Sequence, residues 1–317
     1  MADAATVKPP KQRPVTAKAV NVMACAAIRT FAMLSDRGLV RHSNQDSCAA
    51  LPELGAFVVC DGMGGAAGGE VASQLATEAF LNYLAHPSCP PVDPAAAKAV
   101  LPRVSREPIN VAQPGAAKQA RVRLAEAIQV ANHAVFRHSC VVPSLHGMGT
   151  TLVALLWEES PPSSTLWIGH VGDSRCYRLR SGTLQLLTED HSLVEEEVRA
   201  GLLTRVQAAA SPMRNIITRA IGTQPTVEPE ITACATQPGD LYLLASDGLS
   251  RELDESTIKR VITRSASLAA PASTNRNSVE PGFAVQSALD TACQALVDAA
   301  NSNGGHDNIT VLLAACA

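Results

Sequence analysis

Aromatic residues, excess basic charge and long apolar runs are all scarce in this sequence. Phe, Trp and Tyr make up 3% of the 317 residues, so a hydrophobic core has to be built mainly from Ala, Val, Leu and Ile. The net charge of −3 argues against a surface that binds nucleic acid or anionic membranes. No stretch reaches the length of a membrane span, so we expect no membrane-spanning segment.

Cysteine spacings typical of zinc sites, disulfide frameworks or thiol catalysis are also missing. The nine cysteines include no Cys-x-x-Cys pair and no Cys-x5-Arg loop that could supply a thiol nucleophile. Several of them, such as Cys60 and Cys293, stand within apolar runs, where a free thiol behaves as a small hydrophobic group. We therefore expect a reducing compartment and a cytoplasmic protein.

The N-terminal segment resembles a signal peptide only faintly. Basic residues precede an apolar stretch at 19–28, but that stretch is short and Asn21 interrupts it. We expect residues 1–28 to form a disordered or partly ordered tail. Residues 29–317 are then expected to form one domain that begins with an edge strand.

The 46% of hydrophobic residues is ample for a core, and their spacing indicates both helices and strands. Apolar residues recurring every three or four positions predict amphipathic helices at 70–85, 116–137, 193–203 and 283–300. Residues 86–115, with seven prolines, and residues 265–281 predict loops, and 204–228 predicts a polar, mobile connection. Because strands and helices do not alternate strictly, the pattern favours an α+β domain of antiparallel sheets covered by helices.

Four aspartates stand at the ends of short apolar runs, each beside a glycine or an asparagine. The runs are bounded by glycine and predict buried strands. They cover 56–60, 166–171, 241–245 and 309–313, and the adjoining aspartates are Asp61, Asp173, Asp247 and Asp307.

A single Asp-Gly pair is commonly just a turn. Four such aspartates at the ends of buried strands are different, because a buried acidic cluster repels itself unless a cation neutralises it. Oxygen ligands without Cys or His spacing favour magnesium or manganese over zinc. The four aspartates therefore predict a metal site.

A polar segment before the first of these runs adds a candidate phosphate-binding group. Arg41 can grip a phosphate through two hydrogen bonds, and Asp46, five residues later, can hold a metal-associated water. Alone, the two residues would be interpreted as a surface ion pair. Beside the four aspartates, they indicate a di-metal site that handles phosphate.

Six motifs in chain order resemble those of the type 2C metal-dependent Ser/Thr protein phosphatases, the PPM family. Any one motif is weak, but six in order over residues 29–315 are specific, and their variants resemble the bacterial branch. The motifs are Arg41–Asp46, Asp61–Gly65, Gly147–Thr151, Gly172–Arg175, Ser246–Gly248 and Gly305–Asn308.

The resemblance implies a four-layer α-β-β-α sandwich, with two antiparallel sheets flanked by helices. It also implies two manganese or magnesium ions, a third ion as in bacterial members, and a mobile flap near residues 193–228. By the resemblance, Arg41 would bind the phosphate and Asp46 would act through a metal-bound water. Asp61 would bridge two ions, Asp247 and Asp307 would complete the ligands of the first ion, and the Gly62 carbonyl would bind the second. Asp173 would bind the third ion together with Asp247. The catalytic set is Arg41, Asp61, Asp247 and Asp307, and Thr150 and Thr151 would orient the ligands.

Two positions depart from the family pattern. Gln45 stands where many members carry glutamate, which predicts weaker metal affinity. Met63 stands where eukaryotic members carry the histidine thought to protonate the leaving group, so a metal-bound water or another residue has to supply that proton. His42 and His306 flank motif residues, although such histidines are more often satisfied loop residues. His191 is expected to anchor the flap.

These features predict hydrolysis of phosphoserine and phosphothreonine on proteins, without a phosphoenzyme, in opposition to a bacterial Ser/Thr kinase. Two alternatives stay open: a pseudophosphatase that only binds phosphoproteins, and a di-metal hydrolase of small phosphoesters. All core aspartates are present, which argues against the first alternative. The expected partners are phosphorylated proteins and a cognate kinase, with no nucleic acid, and the expected state is a monomer.

Overall fold

The computed structural model describes residues 30–65, 68–87, 114–160, 163–268 and 281–316, which form two antiparallel sheets, seven α-helices and two short 3-10 helices. The strands are β1 (Phe31–Asp36), β2 (Asp46–Leu51), β3 (Ala56–Met63), β4 (Gly149–Thr150), β5 (Leu152–Ser160), β6 (Ser163–Val171), β7 (Arg175–Arg180), β8 (Thr183–Leu186), β9 (Glu230–Ala235), β10 (Leu241–Ala245) and β11 (Ile309–Ala315). The helices are α1 (Gly68–Ala85), α2 (Pro114–Val141), α3 (Leu193–Arg199), α4 (Arg205–Ala210), α5 (Asp247–Glu252), α6 (Glu255–Leu268) and α7 (Pro281–Ser302).

Strand order brings the two ends of the described chain together. The first sheet has the order β1-β11-β10-β7-β8, and the second has the order β2-β3-β5-β6-β9, with the short β4 paired to β3. Strand β1 lies at an edge, as the sequence predicts, and Phe31 pairs with Ala314 of β11. The first and last described strands therefore help to form one sheet.

The two sheets pack face to face through alternate side chains of their strands. Phe57 and Val59 of β3 face Leu244 of β10 and Leu312 of β11 in one buried cluster. Four aromatic residues form a chain of ring contacts in this layer. The rings of Phe31 and Phe57 lie 5.5 Å apart, and further edge contacts follow from Phe57 to Trp157 at 6.2 Å and from Trp157 to Tyr242 at 5.3 Å.

The opposite faces of the sheets carry the helices. Ala56, Val58 and Cys60 of β3 pack in a cluster with α1 and α2. On the other side, Leu243 of β10 and Leu313 of β11 pack in a cluster with α5, α6 and α7. The order of layers is helix, sheet, sheet, helix, so the predicted α-β-β-α sandwich is confirmed.

Most predicted elements are present with shifted ends. Helix 70–85 is confirmed as α1, the prediction at 116–137 as the longer α2, and that at 283–300 as α7. The predicted helix 193–203 ends at Arg199, because the next residues turn through Gly201 in the left-handed region, φ 73°.

The predicted connection 204–228 was wrong in one respect, because it contains α4. The Thr204 hydroxyl accepts a hydrogen bond from the backbone N–H of Gln207, and the Gln207 side-chain oxygen accepts one from the backbone N–H of Thr204. This capping box starts the helix. Helices α5 and α6 follow β10 directly, and α6 extends into the predicted loop 265–281 as far as Leu268. The predicted tail and residues 88–113 and 269–280 of the two predicted loops lie outside the described residues. No helix in the described ranges is both long and apolar enough to cross a membrane.

Candidate metal centre

Five aspartates approach one another where the two sheets meet. Asp46 begins β2 and pairs directly with Asp61 of β3 in the second sheet. In the first sheet, the end of β10 lies beside the start of β11, so Asp247 and Asp307 come from neighbouring strand ends. Asp173 lies in the short connection that takes the chain from β6 in one sheet to β7 in the other. The predicted cluster is therefore assembled from both sheets.

Asp61 is at the electrostatic centre of this cluster. Burial raises its pKa well above the ordinary range of an aspartate, and the charges of four other carboxylates raise it further. These belong to Asp46, Asp247, Asp173 and Asp307. The Asp61 carboxylate thus interacts electrostatically with every other aspartate that the sequence analysis selected.

Several oxygens of the cluster are buried without a hydrogen-bond donor. Among the described residues, Oδ1 of Asp173 and Oδ1 of Asp247 have no partner, and neither oxygen of Asp46 accepts a hydrogen bond of normal geometry. Burial and then the charge of Asp173 raise the pKa of Asp247 to about 8. Burial raises the pKa of Asp46 to about 6, although the hydroxyls of Thr310 and Ser246 oppose that shift. Unpartnered carboxylates in a buried cluster suit hard divalent cations, so the donor set fits magnesium or manganese.

Arg41 lies at the mouth of the cluster. Its Nη2 donates to Oδ2 of Asp307 at 2.8 Å, and its side chain is 50% exposed. The hydrogen bond that Arg41 donates to Asp307 is the main cause that raises the pKa of Arg41, and burial opposes it. A guanidinium has five N–H donors, so Arg41 keeps donors for a second anion while it holds Asp307.

Arg251 is a second arginine in the cluster, and the sequence analysis did not select it. It forms an ion pair with Asp247, four residues earlier on α5, and its Nη1 lies 3.4 Å from Oδ2 of Asp307. Its Nη2 lies 3.9 Å from Oδ2 of Asp173. The spacing of four residues between Asp247 and Arg251 is the signal that could have found it.

Hydrogen bonds hold the backbone of the candidate ligands in place. Thr151 Oγ1 accepts from the N–H of Asp61 at 2.9 Å, and Thr150 Oγ1 donates to its carbonyl at 2.8 Å. Asn308 Oδ1 accepts from the N–H of Gln45 at 2.9 Å, and its Nδ2 donates to two carbonyls of the segment that carries Arg41. Asn308 thereby ties this segment to β11, a role the sequence did not reveal.

Gln45 and Gly62 explain the close packing of the first Asp-Gly turn. The side-chain amide of Gln45 donates through Nε2 to the carbonyl of Gly65 at 2.6 Å. The backbone carbonyl of Gln45 accepts from the N–H of Gly62 at 3.2 Å. A Cβ on Gly62 would lie 2.1 Å from the carbonyl oxygen of Gly69, so only glycine fits there. The glutamine amide therefore has a structural task, because a carboxylate at position 45 could not donate to Gly65.

His306 is placed as a loop residue with a partner of its own. Its Nδ1 lies 2.8 Å from Oε1 of Glu252, and its side chain is 73% exposed. Met63 packs against the backbone of Gly149, where a Cβ would lie 3.0 Å from the Met63 methyl carbon. Met63 therefore offers no proton donor to the site, and the imidazole of His306 is engaged with Glu252.

His191 is buried and joins the segment after β8 to the connection that carries Asp173. Its N–H donates to the carbonyl of Gly172 at 3.0 Å, and its Nδ1 accepts from the N–H of Gly172 at 3.2 Å. Its carbonyl accepts from Thr218 at 2.8 Å, which fastens the far end of the same segment. This geometry agrees with the predicted anchor.

His170, His191 and Glu230 place three potential metal ligand atoms within 4.8 Å of one another. The two rings stack at 4.6 Å, and burial followed by the charge of His191 lowers the pKa of His170 to about 4. The N–H of Gly172 already occupies Nδ1 of His191, and Nε2 lies 3.6 Å from Oε2 of Glu230. Because one ring nitrogen is engaged by the backbone, the arrangement favours a structural anchor over a metal site.

The chain matches the family model for protein phosphatase 2C over residues 40–280. It is 34% identical over 284 residues to the serine/threonine protein phosphatase PstP of Mycobacterium tuberculosis, a match that covers 90% of this chain and 44% of PstP. It is 32% identical over 282 residues to the serine/threonine phosphatase stp of Listeria monocytogenes, covering 88% of this chain and 92% of that protein. The chain thus spans less than half the length of PstP and nearly all of the Listeria protein.

Solved structures give the same result. The crystal structure of M. tuberculosis PstP matches with a TM-score of 0.67 and 32% identity, covering 92% of this chain and 99% of that one. The PstP catalytic domain in complex with two manganese ions matches with a TM-score of 0.66 and 31% identity over the same shares. Staphylococcus aureus Stp1 matches with a TM-score of 0.68 and 27% identity, over 94% and 98% of the two chains. Sequence relatives, structural neighbours and the family match agree, and this chain belongs to the metal-dependent protein phosphatase 2C family.

Proposed function

We propose that this protein hydrolyses phosphoserine and phosphothreonine on proteins, using divalent cations bound at the aspartate cluster. The observation that carries the proposal is the group of buried, partly unpartnered carboxylates around Asp61, with the half-exposed Arg41 beside it. Dianionic phosphate would be repelled by such a cluster unless cations neutralised it. The names of the PstP and stp relatives support serine and threonine as the phosphorylated residues.

Each candidate residue has a task in this proposal. Asp61 would hold two ions, with Asp247 and Asp307 as further ligands of the first and the Gly62 carbonyl as a ligand of the second. When bound, the cations supply Lewis acidity that activates water and neutralises the phosphoryl oxygens. The Arg41 guanidinium binds and orients the phosphate through the donors that Asp307 leaves free.

The remaining assignments complete the site. Asp46 would act through a metal-bound water, and Asp173 would join Asp247 in holding a third ion. Met63 has no proton to give, so the leaving alkoxide is protonated from another source. The identity of the ions, manganese or magnesium, follows from the oxygen-only donor set and is supported by the two manganese ions of the PstP domain.

The flap at 193–228 is assigned as the mobile wall of the site. It begins next to His191, is fastened again at Thr218, and carries exposed apolar side chains such as Leu202 and Val206. The substrates are phosphorylated proteins, and the physiological counterpart is a Ser/Thr kinase of the same cell. We assign a monomer in a reducing, cytoplasmic setting, and the free cysteines among the described residues support the reducing setting.

The test is an assay of the purified chain on a phosphoserine peptide and on a small aryl phosphate. Each substrate is supplied with manganese, with magnesium or with EDTA, and the variant Asp61→Asn is compared with Asp298→Asn. Asp298 is a matched control, because within the described ranges its carboxylate accepts a hydrogen bond only from its own helix neighbour Gln294, at 2.8 Å. We expect cation-dependent turnover of the peptide that EDTA and Asp61→Asn abolish and Asp298→Asn leaves unchanged.

Two other outcomes would favour the alternatives. Tight binding of the phosphopeptide without turnover under any cation would indicate a pseudophosphatase. Turnover of the aryl phosphate alone would indicate a hydrolase of small phosphoesters. Full turnover in EDTA would contradict the di-metal mechanism.

A further inference from the structure

Arg251 reaches into the carboxylate cluster from the last turn of α5. Its guanidinium pairs with Oδ2 of Asp247, lies 3.4 Å from Oδ2 of Asp307 and lies 3.9 Å from Oδ2 of Asp173. One cationic side chain therefore contacts three of the carboxylates that the proposed function assigns to metal ions. The rest of the cluster is aspartate, apart from Arg41 at its mouth.

We propose that Arg251 is a built-in competitor for the ion on the Asp173–Asp247 side of the cluster. In the metal-free protein its guanidinium balances part of the negative charge, and a divalent cation has to displace it to gain Asp247 and Asp173 together. This inference rests on the metal-binding part of the proposed function. It goes further by naming the chain's own residue that sets how readily the outermost ion binds.

Geometry supports competition at this position. Arg251 pairs with Asp247 through Oδ2, which leaves only Oδ1 of that carboxylate without a partner in the described part of the chain. An ion bound to both oxygens, or placed between Asp247 and Asp173, would lie within a few ångströms of the guanidinium. Two positive charges at that distance repel each other strongly in a partly buried site.

The guanidinium also has a way out of the cluster. The Arg251 side chain is 31% exposed, so it can swing toward solvent when an ion replaces it. Its single charge is spread over several carboxylates and leaves Oδ1 of Asp173 and Oδ1 of Asp247 unpartnered. Arg251 therefore cannot fully substitute for a divalent ion, and it raises the concentration of metal needed without blocking the site.

The contact with Asp307 distinguishes this role from substrate binding. Arg41 and Arg251 both reach Oδ2 of Asp307, but only Arg251 also contacts Asp247 and Asp173. Substrate binding by Arg251 would make its removal raise KM and leave metal affinity unchanged. Competition with metal makes its removal tighten metal binding.

Isothermal titration of the full chain with manganese tests the proposal without relying on turnover. The variants are Arg251→Gln, which removes the charge, and Arg251→Lys, which keeps it on a shorter reach. Arg260→Gln is the matched control, because Arg260 lies on α6 with a hydrogen bond to Thr257 of the same helix. Folding of each variant is checked by circular dichroism.

We expect Arg251→Gln to bind its weakest manganese ion at least about tenfold more tightly than the unmodified chain, because a neighbouring positive charge is lost. Its melting temperature in EDTA should fall, because the carboxylates lose their internal cation. Arg251→Lys should lie between the two, and Arg260→Gln should match the unmodified chain. Adding Asp173→Asn to Arg251→Gln should cancel the gain in affinity, because one of the contested ligands is then neutral.

Unchanged manganese affinity in Arg251→Gln, with or without a rise in KM, would overturn the proposal. If Arg251→Gln does not fold, Arg251→Met, which also removes the charge, decides the question by the same measurement. Absence of any manganese binding to the unmodified chain would overturn both this inference and the proposed function. Manganese binding whose affinity does not change when residue 251 is replaced would overturn only this inference and leave the proposed function standing.

Discussion

Asp46 lies directly opposite Asp61 across the antiparallel pair of β2 and β3. Like charges in directly opposed positions destabilise a sheet, and here burial adds to the cost. Holding two carboxylates in this way positions them as metal ligands at the cost of stability in the metal-free protein. The trade-off can be measured at either residue.

Asp46→Asn should stabilise the metal-free protein and weaken metal binding. In EDTA we expect the free energy of unfolding to rise by about 1 kcal/mol, the upper range for a cross-strand charge pair. In saturating manganese the order should reverse, because the variant has lost a carboxylate near the ions. Chemical denaturation with and without manganese checks both signs, and a variant less stable than the unmodified chain in EDTA would contradict the prediction.

Arg41→Ala should mainly raise KM. The guanidinium binds phosphate in the ground state and in the transition state alike, so its loss removes uniform binding and leaves kcat nearly unchanged. Steady-state kinetics on a phosphopeptide provide the measurement, and Arg37→Ala, in the same loop, is the matched control. A fall in kcat with an unaltered KM would show that Arg41 acts only in the transition state.

Met63→Ala should change turnover of a phosphopeptide only modestly. Loss of a general acid costs about a hundredfold or more, and methionine has no proton to lose. We therefore expect a decrease far below that size, caused by the lost packing against Gly149. The kcat values of the variant on a phosphopeptide and on an aryl phosphate should fall together. A collapse on the peptide alone would show that position 63 matters to departure of the leaving group.

Arg180→Gln should destabilise the protein at neutral pH and much less in acid. Asp240 is almost fully buried and accepts from Nε of Arg180 at 2.6 Å. Burial opposes ionisation of Asp240, but hydrogen bonds from Arg180, Gln237 and Tyr242 prevail, so its pKa lies below the usual range. A lowered folded pKa means that the stabilisation is complete above the unfolded pKa of about 4 and is lost as the pH falls through the folded value.

Denaturation curves of both proteins between neutral pH and acid test this. We expect a difference in the free energy of unfolding of about 1–3 kcal/mol at pH 7, the cost of leaving a buried group without its donor. The difference should shrink below pH 4 as Asp240 becomes protonated. A difference that is constant with pH would mean that Arg180 stabilises by packing and not by charge.

The sequence was sufficient to predict the four strands whose apolar runs adjoin an aspartate. Apolar runs bounded by glycine predicted the cores of β3, β6, β10 and β11, because burial on both faces requires continuous hydrophobic residues. The α-β-β-α order of layers came from the family resemblance, since the periodicity of single elements does not specify which sheet a strand joins.

The roles of Arg251 and Gln45 were missed for different reasons. Helix α5 spans only Asp247–Glu252, too short to show an apolar stripe, so no helix was predicted there and the four-residue spacing of Asp247 and Arg251 was not recognised as a pair on one helix face. At Gln45 the family pattern suggested a lost carboxylate, whereas the structure gives its amide a donor's role toward Gly65. Helix α4 was missed although Thr204 and Gln207 carry the capping-box spacing.

The position of β11 between β1 and β10 has a consequence for biosynthesis. The ribosome makes the N-terminal strands first, yet within the described strands β1 pairs with β11 alone and must wait for it. Asp307 and Asn308 are made just before β11, so the carboxylate cluster and the clamp on the Arg41 segment are completed together, after every other described strand. The cluster therefore stays incomplete in a nascent chain until synthesis has passed residue 308.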